Sequence, residues 1–446
     1  MKAWPARAAP WLAAALGVAV TLAAFYPGYL SFDSADQWQQ ARHFAFTSLH
    51  PPLQAMLWHH VDRVWPGPGG MFVLQVLLYW GALALLVAQR RWRTAWQALA
   101  VLLLGFWPPL LGLLPHLWKD VPMSALLVLA AALAASDLRH PSGWTRAGVL
   151  SCLILACTLR HNAVLAVLPF AGWLLWRHGE RHQWQQPRWR LALLTLMLTL
   201  GVQALASLPE RHPAVTRTDS VWSVVALWDM AAVSLREQRM IFPPGFVADD
   251  LDLAQVQARF LPYSNTGLYR DDAFRHSLFV PYRDDQRRTL MQAWLRLPLQ
   301  HPRAYFAHRL RLSTLLFGFD QAALPDRLVL VPDVVALGDN PPVRANASAL
   351  HQRLQQSLDA LVDTPWFAGW LYLLALLPMA LLAWHRRQQR DAQLAAVLMA
   401  SALLYTLPLT VLAGSAEFRY LGWLVQATLL AACLLADKPT ANAETT

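Results

Sequence analysis

Two carboxylates and a histidine stand just beyond the first apolar run of this chain. The stretch reads Tyr26-Pro27-Gly28-Tyr29-Leu30-Ser31-Phe32-Asp33-Ser34-Ala35-Asp36-Gln37, and His50-Pro51-Pro52-Leu53 follows. On a helix, i and i+3 share a face, so Asp33 and Asp36 can address one site. A carboxylate set against a hydroxyl can take its proton as that oxygen attacks. Three other places carry ionisable groups beside apolar runs: Trp118-Lys119-Asp120-Val121-Pro122, Arg160-His161-Asn162 and Glu417-Phe418-Arg419-Tyr420. Lys119, Arg160 and Arg419 suit a phosphate or diphosphate on which charge develops as it leaves. Arginine adds planar bidentate contacts that lysine lacks. The sequence contains no Walker-type glycine loop, Gly-x-Ser-x-Gly, His-Glu-x-x-His or Cys-x-x-Cys. Chemistry here must come from dispersed carboxylates and cations.

Each residue also has a plain structural use. Asp33 could cap a helix that begins near Ser34. Asp36 could be a first-turn acid favoured by the helix dipole. His50-Pro51-Pro52 could simply start the next helix. Lys119 and Asp120 could pair locally, and Arg160-His161-Asn162 could be an interface turn. Glu417 and Arg419 flank one residue, a spacing that does not bring side chains together on a helix.

The elements that must position these groups are membrane helices. The chain has 446 residues, is 56% hydrophobic and only 14% charged, which is the composition of a multi-span membrane protein. Its 22 tryptophans suit aromatic belts at two interfaces. The net charge of +10 fits cytoplasmic loop charges and anionic lipid or phosphate partners rather than nucleic acid. Cys152, Cys157 and Cys433 lie in apolar runs, so neither a disulfide nor a metal cluster is expected. Residues 11–29 could pass for a signal peptide, but Tyr26-Pro27-Gly28 makes a poor cleavage site and a retained helix is preferred.

The expected fold is an all-α polytopic membrane protein of about ten transmembrane helices. The spans are 11–29, 71–88, 97–115, 122–136, 148–159, 163–176, 191–207, 366–384, 392–413 and 420–436. Several are shorter than the ~20 residues of a straight span. The pair 148–159 and 163–176 could also be one broken helix or a re-entrant pair. Pro108, Pro109 and Pro115 should kink the third span. With both termini cytoplasmic, fifteen basic residues fall in inner segments, from Lys2 and Arg7 to Lys438, against five in short outer loops. The chain thus divides into 1–207, with its first outer loop at 30–70, an outer segment 208–365, and 366–446 with the last spans and a short cytoplasmic tail. The outer segment is expected to be mainly α, with a helical core from Tyr282 to Phe319. It carries the charged turns Asp249-Asp250, Asp271-Asp272 and Asp284-Asp285. Its apolar stretch 221–233, around Asp229, is too short to span and reads as a buried or interfacial helix. Asn346-Ala347-Ser348 matches a glycosylation sequon, a triplet common by chance. This topology places Asp33, Asp36, His50, Lys119, Asp120, Arg160, His161, Glu417, Arg419 and Tyr420 at the outer ends of spans. Short loops allow all of them to meet in one outward-facing cavity.

Taken in order, these motifs resemble the GT-C superfamily of integral-membrane glycosyltransferases, near its RgtA/B/C/D and protein-mannosyltransferase-like group. The carrying residues are Pro27-Gly28 with Phe32-Asp33-Ser34-Ala35-Asp36-Gln37, His50-Pro51-Pro52-Leu53, Trp118-Lys119-Asp120-Val121-Pro122, Arg160-His161-Asn162 and Glu417-Phe418-Arg419-Tyr420. The resemblance covers about 11–207 and 366–436. It implies inverting transfer of a sugar from a polyprenyl-phosphate-linked donor to a glycan, lipid or protein acceptor at the periplasmic face of a bacterial inner membrane. It also implies an acidic base in the first outer loop, which Asp33 matches best by position. Many relatives carry adjacent acids or Asp-x-Asp there. Asp-x-x-Asp leaves the base open between Asp33 and Asp36, and it weakens the case for a divalent cation, Mg or Mn. Two other readings stand beside this one: a polymerase or ligase of lipid-linked glycans, and a transporter or flippase. Transporter sites tend to lie at mid-membrane on broken helices within repeats. No repeat is visible here and the polar groups gather at span ends, which favours an enzyme.

Overall fold

The computed structural model describes residues 4–218, 221–268, 282–325 and 332–437. Lys2, Asp271, Asp272 and Lys438 therefore lie outside the described residues. The protein is mostly helical, and all ten apolar segments are helices. Helix α1 (Trp4–Phe25) leads through a turn to α2 (Phe32–His43) and α3 (Leu53–Val64). Then come α4 (Gly69–Val87), α5 (Thr94–Gly105), α6 (Pro108–Leu113), α7 (Asp120–Arg139), α8 (Gly143–Leu159), α9 (Ala163–Arg181) and α10 (Arg188–Ala206). The long insertion holds α11 (Val221–Glu237), α12 (Leu253–Arg259), α13 (Asp284–Gln300), α14 (Pro302–Leu316) and α15 (Ala349–Asp359). The chain closes with α16 (Gly369–His385), α17 (Arg390–Thr406), α18 (Leu409–Leu412) and α19 (Gly422–Leu435). Among the described residues, six helical stretches are long and apolar enough to cross a membrane: Ala8–Phe25, Gly69–Val87, Asp120–Arg139, Arg188–Ala206, Arg390–Leu412 and Phe418–Leu435. α5, α8 and α16 are apolar but shorter.

Local chemistry sets the breaks. The third apolar segment is two helices, because α5 stops at Gly105 and Pro108 opens α6, where its missing N–H costs nothing. Trp80 of α4 lies against Gly17 and Gly105, where a Cβ would come within 2.5 Å and 2.1 Å of its ring. That close approach packs α1, α4 and α5 together. α8 and α9 are two helices joined through Arg160-His161-Asn162.

The insertion sits over the end of the bundle that carries α2. Leu30 bridges Val334, Asn340 Nδ2 donates to the Ala35 carbonyl at 2.8 Å, and Arg42 and His43 pair with Asp339 at 3.3 and 2.9 Å. A two-residue parallel sheet joins β1 (Phe46–Thr47) to β2 (Val215–Thr216). The apolar stretch around Asp229 forms α11, whose core-facing side is buried. Its Asp229 is fully buried, and its Oδ2 accepts from Arg309 Nη2 at 2.5 Å and Trp294 Nε1 at 2.7 Å. The helical core expected from Tyr282 to Phe319 is two helices, α13 and α14, parted at His301-Pro302.

The opposite end of the bundle is basic. Arg90 pairs with Asp391 and Asp437, Arg139 with the same two carboxylates, and Arg181 with Asp137. The 20 residues of α7 separate the two ends by about 30 Å, the thickness of a bilayer core.

Candidate functional site

Five short stretches supply the site, and backbone or amide contacts tie several of them together. Gly28 has φ +98°, and a Cβ there would meet the Pro115 carbonyl at 3.1 Å. This tight turn lets Tyr29 N–H donate to Pro115 O at 2.8 Å and Tyr29 O accept from Leu117 N–H at 3.2 Å. The turn after α1 is thereby tied to the loop that ends in Trp118-Lys119. Ser31 caps α2, accepting from Ser34 N–H, and its Oγ also accepts from Trp118 Nε1 at 2.8 Å. Ser34 Oγ and Gln54 Nε2 both donate to the Leu117 carbonyl, at 3.1 and 2.8 Å. The loop ahead of Glu417 is fixed by the insertion: Arg309 donates to Ala413 O, Asn265 N–H to Gly414 O, and Ala416 N–H to Tyr263 O.

These supports bring Asp33, His50, Lys119, Asp120, Arg160, Glu417, Arg419 and Tyr420 into one contiguous cluster. Arg419 Nη1 donates to Asp33 Oδ2 at 2.8 Å, and its Nε pairs with Glu417. His50 Nε2 stands 3.7 Å from Asp33 Oδ1, while its Nδ1 contacts Lys119 Nζ. Arg160 Nη1 pairs with Asp120 Oδ1 at 2.5 Å, and Arg160 Nε donates to Asn162 at 3.1 Å. The Tyr420 ring lies between the two guanidinium groups, 5.1 Å from Arg160 and 5.4 Å from Arg419. Arg419 also lies over Trp118 at 5.0 Å. Ser415 Oγ donates to Glu417 at 2.7 Å and lies 3.2 Å from the Tyr420 hydroxyl. Beneath the cluster a small, partly open pocket is lined by Trp118, Asp120, Ser124, Arg419 and Gln426, with Tyr79 and leucines at α6 as its apolar wall.

No protein-family model matches the chain, and no curated protein matches it.

The electrostatics separate the two aspartates. Burial pushes Asp33 up, but Arg419, His50 and Lys119 outweigh it and hold the carboxyl well below the usual carboxylate range. Burial raises Asp36, and its hydrogen bond from Gln40 Nε2 at 2.6 Å only partly offsets that. His50 is pushed down, first by burial and then by the charge on Lys119, with Asp33 acting the other way. Lys119, just ahead of α7, is pulled down to about 7 by burial. Asp33 and Asp120 partly offset that burial, and a further anion nearby would favour the charged form.

The carboxylates do not fit a divalent cation. Such an ion wants several oxygen ligands on one point. Asp33 and Glu417 instead share Arg419, Asp120 faces Arg160, and Asp36 faces Gln40. Among the described residues no three His, Cys, Asp or Glu side chains converge as a metal site would require.

Several expectations change at this point. Ser31, not Asp33, caps α2, so Asp33 is a first-turn acid with its side chain free for the cluster. Asp36 lies nearly one turn further along α2 and takes Gln40 as its partner, outside the chain of ion pairs. Lys119 and Asp120 do not pair with each other: Lys119 meets His50, and Asp120 meets Arg160. Glu417 and Arg419 do pair, because Glu417 is extended ahead of a short 3-10 turn, and extended backbone brings i and i+2 to one side. His161 turns away to Glu210 at 2.8 Å. Phe32, next to Asp33 in sequence, is exposed and gives the carboxylate no cover. Sequence reading missed Ser31, Ser415, Ser124 and Gln426. The last two are polar residues inside apolar runs, a signal that was legible.

Proposed function

We propose that this chain is a polytopic, inverting glycosyltransferase. It moves a sugar from a polyprenyl-phosphate-linked donor to a glycan, lipid or protein acceptor on the outer face of a bacterial inner membrane. Ten spans, cytoplasmic termini and an outward 208–365 segment belong to the same reading. The observation that carries it is the Asp33–Arg419 pair, at 2.8 Å, with Lys119 linked to the same carboxylate through His50. Acid and phosphate-type cations from three distant parts of the sequence share one site at the end of the bundle.

The arrangement suggests an exchange of partners. A donor phosphate competes with Asp33 for Arg419 and favours the charged form of Lys119. Released from its ion pair, Asp33 becomes a better base. The acceptor hydroxyl oxygen then attacks the anomeric carbon from the face opposite the phosphate. The bond from that carbon to the phosphate oxygen breaks, its electron pair leaves with the phosphate, and the hydroxyl proton passes to Asp33. Arg160, held against Asp120 and the Tyr420 ring, supplies further positive potential.

The test uses purified protein in detergent with isotope-labelled lipid-phosphate sugar and candidate acceptors. Donor consumption with a single-sugar product is expected. Donor that is never cleaved in detergent but is moved across the membrane of reconstituted vesicles would replace the enzyme with a transporter, and a ladder of products would make it a polymerase.

A further inference from the structure

The basic end of the bundle holds a second feature, unrelated to the Asp33 cluster. A wide crevice there encloses about 3420 Å³ of empty space, much of it open. Its rim is cationic, with Arg91, Arg93, Arg139 and Arg390 against Asp391 and Asp437. Both carboxylates are already committed: Arg90 takes them at 3.3 and 3.2 Å, and Arg139 lies at 3.5 and 3.8 Å from the same pair. Arg91 and Arg93 are exposed and have no carboxylate partner among the described residues. Arg139 Nη1 is buried and without a hydrogen bond. Below the rim the wall turns apolar, with Trp11, Trp96, Leu99 and Leu103 lining the crevice and exposed.

The dimensions select the occupant. From Arg93 to Leu103 is ten residues along α5, about 15 Å, which is half a bilayer core. The crevice therefore runs from a cationic rim down one leaflet's depth of apolar wall. Inorganic phosphate or a soluble polyanion would use the rim and leave the wall bare. A zwitterionic lipid would cover the wall but bring no net charge to Arg91 and Arg93.

We propose that this crevice is a binding site for an anionic phospholipid, its phosphate held by Arg91, Arg93 and Arg139 and its acyl chains laid along Trp11, Trp96, Leu99 and Leu103. The two exposed arginines supply the charge selectivity and the α5 face supplies the lipid selectivity.

Native mass spectrometry and thermal unfolding of the delipidated full chain in neutral detergent test this. The probes are phosphatidylglycerol, phosphatidylcholine of the same chains, and inorganic phosphate. Phosphatidylglycerol should bind and stabilise most, with phosphate alone having little effect. Arg91→Gln/Arg93→Gln should weaken phosphatidylglycerol binding about tenfold or more, since each cation near a lipid headgroup contributes measurably. Leu99→Gln/Leu103→Gln should weaken it too while leaving the preference for an anionic headgroup. The wild-type ranking needs no variant to fold. Equal binding of both lipids, equal stabilisation by inorganic phosphate, or an arginine double variant with unchanged affinity would overturn the assignment.

Discussion

Asp33 and Asp36 differ in what surrounds them. Asp33 is held ionised by Arg419 and His50, whereas Asp36 has a raised pKa and one amide partner. Asp33→Asn keeps shape and removes basicity, so turnover should fall by ~10²–10⁴-fold while donor still binds. Asp36→Asn should lose less. Inactive Asp36→Asn beside active Asp33→Asn would reverse the roles; two active variants would remove α2 from the chemistry. Arg419 is more than an outer-loop cation. It is buried against Asp33 and Glu417, so Arg419→Ala strands two carboxylates and costs stability as well as donor use. Arg419→Lys separates the effects: charge is kept, bidentate geometry is lost, and the donor KM should rise with less loss of fold. Lys119 gives a pH signature. Its pKa of about 7 means it carries charge below pH 7 and loses it above. The apparent donor KM should therefore rise as pH climbs through 7, and Lys119→Arg, charged throughout, should flatten that rise. Initial rates at limiting donor between roughly pH 6 and 8, about one unit either side of that value, measure it.

Among the helices, the insertion acts as a clamp rather than a cover. Asp229 on α11, Arg309 on α14 and Trp294 on α13 share one buried carboxylate oxygen, and Arg309 reaches on to the Ala413 carbonyl. That carbonyl opens the loop that ends in Glu417 and Arg419. Removing one partner of a buried ion pair costs about 3–5 kcal/mol. Arg309→Ala should lower the unfolding temperature in detergent accordingly, and it should raise the donor KM by letting the 413–417 loop drift. Trp294→Phe removes only a hydrogen bond to a charged group, worth about 1.5–3 kcal/mol, and should spare the KM. A stability loss in Arg309→Ala with an unchanged KM would confine the clamp to folding.

The molecule as a whole has two chemically different ends, about 30 Å apart. Basic loops gather at one end and the Asp33 cluster and insertion at the other, as the excess of Lys and Arg in cytoplasmic loops leads one to expect. Single cysteines at Asp250 and Gln352 should label from outside intact cells, and one at Trp144 only after the membrane is opened. All three positions are exposed, and the three native cysteines are buried. Ser264 would be a poor reporter because it is buried under the 413–417 loop. Labelling of Asp250→Cys from the cytoplasm would invert the topology and end the proposed reaction at the outer face.

The helical segments, the polar motifs at their ends and the gathering of those motifs on one side were legible in the chain of residues alone. Hydrophobic runs and charge placement are local properties, and a bilayer reads them locally. Asp229 was legible only as a charged residue inside the apolar stretch 221–233. Which partner each charge takes was settled only by the folded arrangement. Lys119 meets His50 rather than the adjacent Asp120, Arg160 takes Asp120 from another loop, and His161 leaves the cluster for Glu210. Those choices depend on backbone direction at a turn: the left-handed Gly28, the extended Glu417, the cap at Ser31. A change of one dihedral there redirects a side chain by several ångströms, and a salt bridge tolerates less than that.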